Sequence, residues 1–440
     1  GAGGFTVQRG AGGVVSGLLP LLVGREHATW VAAAISKDDR AAVAAGRATV
    51  EGVDLHLVEL DPDVHRLHYD IVSNAALWFL HHGLFDLPRR PRFDRRFEDA
   101  WKGYVAVNAR FAAEVASVAT NAEIVLVQDY HLALVPGMLS EMRPDCRALH
   151  FTHTPFCGPN SIRVLPDYAS TALLSSMASV PCGFHTSRWR DAYLACAREV
   201  LGPLEAPQAR AFAASLGPDL DALQAVASSD AARSEASALD DLVGDRAVIM
   251  RIDRIEPSKN IVRGFLAFDL LLQENASWRG RVVFVALLTP SREGLAEYLA
   301  YRSEVEQAAA TLNSKWETDD WKPVIIDTRD NYERSIGALA RYDVLLVNPV
   351  RDGLNLVAKE GPLLNQRDGV LCLSREAGAF EELAEVAVEV NPFDVLGTAT
   401  AILQALEMSP QERSRRATRL RALAGARTPT DWLEDLLTQA

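Results

Sequence analysis

Two carboxylates bracket a strand-to-helix turn in the segment YDVLLVNPVRDGLNLVAKE, residues 342–360. Asp352 stands in the turn and Glu360 lies beyond it. The run Val344, Leu345, Leu346, Val347 reads as a buried strand of a parallel sheet. Asn348 and Pro349 break the strand, and Arg351-Asp352-Gly353 turns the chain. A helical pattern opening near Leu354 is expected to carry Lys359 and Glu360 in its second turn. Free backbone N–H groups at such a helix start, with a carboxylate on either side, make a seat for an anion or a polar ligand.

Cations supply the second signal. Arg254 and Lys259 in RIDRIEPSKN follow a buried strand, where open α/β sheets bind ligands beyond their carboxyl ends. A solvated loop is the plain alternative for that pair alone. Arg292, in ALLTPSRE after another strand, adds a third cation to the same edge. Arginine pairs phosphate bidentately and lysine acts as a point charge. Asp129 in VQDYH and His153 in HFTHTPF project from the ends of neighbouring strands. A lone strand-end histidine is more often structural, and the pairing with Asp129 favours function. The run Gly10-Ala11-Gly12-Gly13 resembles a phosphate loop without matching G-x-G-x-x-G or a Walker sequence. Tyr69 and Trp78, on a helical pattern in YDIVSNAALW, read by themselves as core aromatics. The D-x-D pairs Asp61/Asp63 and Asp219/Asp221 lead into a polar turn and a hinge-like stretch, so neither is read as a metal motif.

The elements that position these groups alternate strand and helix, which predicts parallel βαβ units. Strands are expected over residues 29–36, 53–59, 123–128, 147–153 and 183–186, then 247–253, 281–288, 324–327, 344–348, 370–374 and 386–390. Helices are expected over 94–119, 188–200 and from 260 to 272, the last with Ile261, Phe265, Phe268 and Leu272 on one face. A softer stretch around 204–245 contains SLGPD and marks a boundary between domains. The expected division is 1–216, 217–424, and a terminal helix in 425–440 packing back on the first domain.

A chain of 440 residues is long for one domain. With 48% apolar and 23% charged residues it has the composition of a soluble globular protein. A formal net charge of −13 argues against nucleic-acid binding. No apolar run reaches the roughly 18–20 residues that span a bilayer, and no signal peptide is evident. The five cysteines are scattered and never form C-x-x-C, which fits a reducing, cytoplasmic setting. His150 and His153, three apart on an expected strand, face opposite sides and share no metal. Neither a metal nor another cofactor is expected, and the oligomeric state is left open, a homo-oligomer included.

Taken in chain order, YDIVSNAALW, QDYHL, FTHTPF, DRIEPSKN, WKP (Trp321–Pro323), RDGLNLVAKE and LSREAGAFEEL resemble the retaining trehalose-6-phosphate synthase family over nearly the whole chain. The resemblance implies an α/β, GT-B fold of two doubly wound Rossmann-like domains facing across a cleft. It also implies metal-independent glucosyl transfer from GDP-glucose or UDP-glucose to glucose 6-phosphate. Arg254 and Lys259 would then neutralise the donor diphosphate, and Glu360 would accept hydrogen bonds from the ribose. Asp352, His153 and the loop Gly353, Leu354, Asn355, Leu356 would hold the donor sugar, with Gly12 and Gly13 closing over it. Tyr69, Trp78, Asp129 and Arg292 would form the acceptor pocket, with Arg292 on the 6-phosphate.

The chain departs from the family pattern in three places. It starts after the usual first strand and its S-N-R-like triplet, for which Arg9 is a substitute candidate. Trp30-Val31-Ala32-Ala33 stands where many members have W-x-G-W, and Asn260 where a glycine follows the lysine. The last two resemble an actinobacterial branch that includes GDP-glucose enzymes and pseudo-glycosyltransferases coupling cyclitols. That coupling, and a sugar-phosphate sensor without catalysis, are the alternatives.

Overall fold

The computed structural model describes residues 13–23, 28–44, 49–50, 53–85, 92–119, 124–205 and 209–440. Gly10, Ala11, Gly12 and Arg9 lie outside the described residues; Gly13 opens a helix, Gly13–Leu22. Two compact units emerge. Unit 1 is Gly1–Ser215 with Pro429–Ala440, and unit 2 is Leu216–Thr428. No helix among the described residues is long and apolar enough to cross a membrane.

In unit 1 the described strands are β1 (Thr29–Ala34), β2 (Thr49–Val50), β3 (Val53–Glu59), β4 (Ile124–Gln128), β5 (Arg147–Thr152), β6 (Pro181–Phe184) and β7 (Arg210–Ala213). They form two sheets, β1-β3-β2 and β4-β5-β6-β7, rather than one. Every pairing is parallel except β2 with β3. The sequence pattern does not announce β2 or β7, because two residues and an RAFA edge carry almost no periodicity. Helix Arg95–Val118 starts where the Asp94 carboxylate accepts from the N–H groups of Arg96 and Phe97. Its face of Phe97, Trp101, Tyr104, Val107 and Phe111 is buried. The terminal helix Pro429–Gln439 buries Trp432 edge-on against Phe151 of β5, with ring centroids 5.0 Å apart.

Residues 67–77 hold one surprise: they wind as a π-helix, closed at its end by the Trp78 N–H donating to the Ser73 carbonyl five residues back. Sequence reasoning expects an ordinary helix there. Such wide turns are rare and recur at functional sites.

Unit 2 carries β8 (Ala247–Arg254), β9 (Val282–Thr289), β10 (Val324–Asp327), β11 (Val344–Val347), β12 (Val370–Ser374) and β13 (Val388–Val390). The six strands are all parallel in the order β10-β9-β8-β11-β12-β13. In chain order this is the 3-2-1-4-5-6 arrangement of a doubly wound sheet. Its direction of winding reverses between β8 and β11, where Val344 pairs with Ile249. The softer stretch expected over about 204–245 holds β7 and two helices, Leu220–Ala227 and Asp230–Val243. Both D-x-D pairs find ordinary employment. Asp219 caps the first of those helices through the Ala222 N–H, and Asp61 accepts from the N–H groups of Asp63 and Val64.

Candidate functional site

The switch point of unit 2 gathers the charged residues. β8 delivers Asp253 and Arg254 at its carboxyl end, and a single 3₁₀ turn, Pro257–Lys259, carries the lysine. β11 ends into the loop that holds Asp352. Lys259 Nζ donates to Asp352 Oδ2 at 2.7 Å and lies 3.7 Å from Asp253 Oδ1. Burial pushes the lysine's pKa down, but Asp352 and Asp253 outweigh it and hold the pKa above its ordinary value. Lys259 is therefore a fixed cation, almost wholly shielded from water.

Asn260 explains its own oddity. It adopts φ 60°, ψ 39°, the left-handed region that glycine enters without strain and asparagine tolerates. Its amide Nδ2 donates to the carbonyls of Asn348 (2.9 Å) and Pro392 (2.7 Å), and its Oδ1 accepts from Arg263. The asparagine thus keeps the glycine-like turn and staples it to the end of β11.

The helix after the turn starts later than its sequence pattern suggests. It runs Val357–Leu364, which puts Glu360 in the first turn rather than the second. The reason is Asn355, at φ 73°, whose side chain accepts from the Ala358 N–H and donates to Asp352 Oδ2. The N–H groups of Leu354 and Asn355 make no hydrogen bond among the described residues. The turn itself is gripped from behind. Asp352 N–H donates to Glu376 O, Gly378 N–H to Asp352 O and Ala379 N–H to Leu354 O. A Cβ on Gly378 would lie 2.0 Å from the Gly353 carbonyl oxygen, so the block LSREAGAFEEL earns its place as a backbone clamp. Glu360 is partly exposed, yet the surrounding protein raises its carboxyl to about 7. Its neighbour Lys359 is fully buried between Glu382 Oε1 (2.9 Å) and the Leu216 carbonyl (3.0 Å), and burial lowers its pKa.

Arg254 and Arg292 meet through a residue that sequence reasoning passed over. Glu256, almost fully buried, lies 3.3 Å from Arg254 Nε and 3.8 Å from Arg292 NH1, and accepts from Ser291 Oγ at 3.0 Å. Arg292 also donates to the Tyr298 hydroxyl and sits over that ring. Arg251, fully buried, donates to the Lys259 carbonyl at 3.0 Å and faces Asp253 at 3.7 Å. Arg251, Asp253 and Glu256 all occur within the quoted block RIDRIEPSKN, so their charge alternation was the available signal.

Unit 1 organises its own polar group. The register Gln128 to Phe151 brings the ends of β4 and β5 together. Asp129, at φ 63° and ψ 171°, turns its carboxylate to accept from the N–H groups of His153 (3.2 Å) and Thr154 (3.4 Å). His153 lies just past β5 rather than on it, and His150 is buried within the strand. Both ring nitrogens of His153 are engaged, Nε2 with Gln128 Oε1 at 2.8 Å and Nδ1 with His185 Nε2 at 3.1 Å. Burial, with a contribution from His150, pulls its pKa down to about 3, so the ring is neutral. Tyr69 is 37% exposed, whereas Trp78 is 2% exposed and packs against Phe79 and His82. The core reading describes Trp78, and Tyr69 departs from it by its exposure. Trp321 of WKP is likewise structural, donating its indole N–H to Val282 O.

The sequence profile of Glycosyltransferase family 20 matches residues 2–440. A trehalose-6-phosphate synthase of Mycobacterium avium is 32% identical over 451 residues, covering 98% of this chain and 90% of that protein. A bifunctional trehalose-6-phosphate synthase/phosphatase of Thermoproteus tenax is 31% identical over 408 residues, covering 89% of this chain. The chain spans only 55% of that longer relative. The trehalose-6-phosphate structure from E. coli bound with UDP-2-fluoro glucose superposes with a TM-score of 0.87 at 26% identity, covering 98% of this chain and 96% of that one. The α/β fold is of the GT-B class. With its profile matched from end to end, the chain belongs to glycosyltransferase family 20.

Proposed function

We propose that the protein moves glucose from a nucleoside-diphosphate glucose, GDP- or UDP-linked, to glucose 6-phosphate, giving α,α-trehalose 6-phosphate with retention and without a metal. The observation that carries this reading is the Lys259–Asp352 ion pair at the sheet's switch point, with Arg254 beside it and Glu360 in the following first turn. A largely shielded cation paired to the carboxylate of a polar turn suits a diphosphate next to a hexose. The names of the M. avium and T. tenax relatives and the nucleotide sugar of the E. coli structure support the same substrates.

In the proposed reaction the bond from the anomeric carbon to the diphosphate oxygen breaks, and the acceptor hydroxyl oxygen bonds to the same face. The acceptor proton passes to the departing phosphate oxygen, so no protein carboxylate is needed as nucleophile. Arg254 and Lys259 stabilise the charge that develops on the leaving group, work that a metal does in D-x-D enzymes. The amides of Leu354 and Asn355 and the Asp352 carboxylate orient the hexose. Glu360 accepts from the ribose, and Gly353 and Leu356 complete the loop. His153, neutral, is suited to exchange one of its hydrogen bonds for a sugar hydroxyl. Asp129, Tyr69 and Arg292 take the acceptor roles that the family resemblance implies, Arg292 through the acceptor's phosphate. A cytoplasmic setting would keep the five free thiols reduced.

The test is release of nucleoside diphosphate from UDP-glucose or GDP-glucose, with and without glucose 6-phosphate, in a chelator. Acceptor-dependent release is expected with at least one donor. Release with neither donor would overturn the function, and loss of release in chelator would overturn metal independence.

A further inference from the structure

We propose that His65 and His131 are positioning residues for the acceptor, clamping the Tyr69 ring between them into a fixed platform. This rests on the proposed role of Tyr69 as an acceptor contact. Tyr69 is the most exposed aromatic of its helix, yet two rings stack on it. His65 lies 5.5 Å away at 12° between planes, and His131 5.5 Å away at 16°. Two near-parallel stacks restrict the ring's rotational freedom before any ligand arrives.

The clamp is anchored in the core of unit 1. The His131 ring lies on Tyr130 at 4.1 Å, and the Tyr130 hydroxyl donates to Asn74 Oδ1 at 3.0 Å. Asn74 belongs to the same π-helix as Tyr69, so the circuit closes on itself. The backbone of this corner is pinned as well. His131 O accepts from His68 Nε2 (2.8 Å) and Asn108 Nδ2 (3.2 Å), and Tyr130 O from the Tyr104 hydroxyl (2.6 Å). Asn74, Tyr104, Asn108, His68 and Tyr130 are all buried. In a π-helix residues five apart fall near one face, which brings Tyr69 and Asn74 together. A core that only had to be filled would not need a half-exposed phenol clasped by two imidazoles.

The experiment compares His65→Ala, His65→Phe and His131→Phe with the wild type, reading both Michaelis constants and kcat. In His65→Ala the KM for glucose 6-phosphate is expected to rise about two- to tenfold, the range one aromatic pair supports. The donor KM and kcat should stay within about twofold, and the phenyl variants should restore acceptor KM because the stack, not the imidazole nitrogen, does the holding. An unchanged acceptor KM, an equal rise in donor KM, or a His65→Phe variant no better than alanine would overturn the proposal. Turnover of the wild type tests the function separately. If it were absent, the same contrast read in the calorimetric dissociation constant for glucose 6-phosphate would still decide the clamp.

Discussion

Replacing Glu360 by glutamine should stabilise the fold and impair donor binding at the same time. The carboxyl ordinarily titrates near 4.5 and is raised to about 7 by burial alone. Its place in the first turn of Val357–Leu364 would favour the negative form through the helix dipole, so burial has overcome that effect. Between pH 4.5 and 7 the folded chain keeps this proton while the unfolded chain has released it. The folded state therefore binds more protons, and stability falls as pH rises through that window, with the full cost present above 7. At about 1.4 kcal/mol per tenfold change in proton affinity the ceiling is roughly 3 kcal/mol. Screening at a partly exposed group brings the expectation to about 2 kcal/mol. Glutamine removes the ionisation without changing shape. Urea midpoints for the two proteins should coincide near pH 4.5 and separate in favour of Glu360→Gln by pH 8. Donor binding should move the other way. A hydrogen bond to a charged acceptor contributes about 1.5–3 kcal/mol, so the donor KM should rise roughly 10- to 100-fold at pH 8. Wild-type donor affinity should itself improve as pH rises through about 7. Parallel stability curves from pH 4.5 to 8, or a donor KM indifferent to the substitution, would refute the reasoning.

The remaining predictions concern the groups around that helix. Lys259→Met removes the cation held between Asp352 and Asp253 and should lower kcat by about 10²–10³; a loss confined to acceptor KM would contradict the diphosphate role. Gly378→Ala drives a methyl against the Gly353 carbonyl, and thermal unfolding should report a loss of about 1–3 kcal/mol together with weaker donor binding. Asn260→Gly keeps the left-handed turn and loses the tethers to Asn348 and Pro392. A cost of about 1–2 kcal/mol is expected in denaturant melts, larger for Asn260→Ala, which loses the tethers and is strained at φ 60° as well.

The sheet of unit 2 was readable because its strands are continuous apolar runs closed by polar breakers. Val344–Val347, Val370–Ser374 and Val324–Asp327 begin where their sequence pattern begins. Arg254, Lys259 and Asp352 follow from the same logic, since a parallel sheet presents its loops at the carboxyl ends of its strands. Glu256, Arg251 and Asp253 were passed over because they act on other side chains. Only the folded distances reveal that one carboxylate serves two arginines. The late start of Val357–Leu364 was hidden for a different reason: Leu354, Val357 and Ala358 have helical spacing, and the left-handed Asn355 postpones the helix. The π turn of Leu67–Leu77 leaves no periodic trace, since its hydrogen bonds skip one residue more than an α-helix's.

Backbone strain ties these particulars together. The described non-glycine residues with left-handed φ are Asp129, Asn260, Arg292, Asn355 and Asp368. The first four lie among the residues singled out for chemistry or directly beside them, and each lies in the connection that follows a strand's carboxyl end. Such conformations cost on the order of 1–3 kcal/mol and persist only where surrounding contacts enforce them. For Asp129 the enforcing contacts are the amides of His153 and Thr154, and for Asn260 the carbonyls of Asn348 and Pro392. For Asn355 they are Asp352 and the Ala358 amide, and for Arg292 Glu256 and Tyr298. In each case a hydrogen bond or ion pair to a neighbouring polar group holds the strained residue, so strain and electrostatics hold one another in place. Relieving one residue should therefore loosen its neighbours. Asn355→Gly, which frees φ but deletes the contact to Asp352, should weaken the Lys259–Asp352 pair and lower kcat more than it lowers stability. If stability fell while kcat held, the strained turns would be incidental to the site.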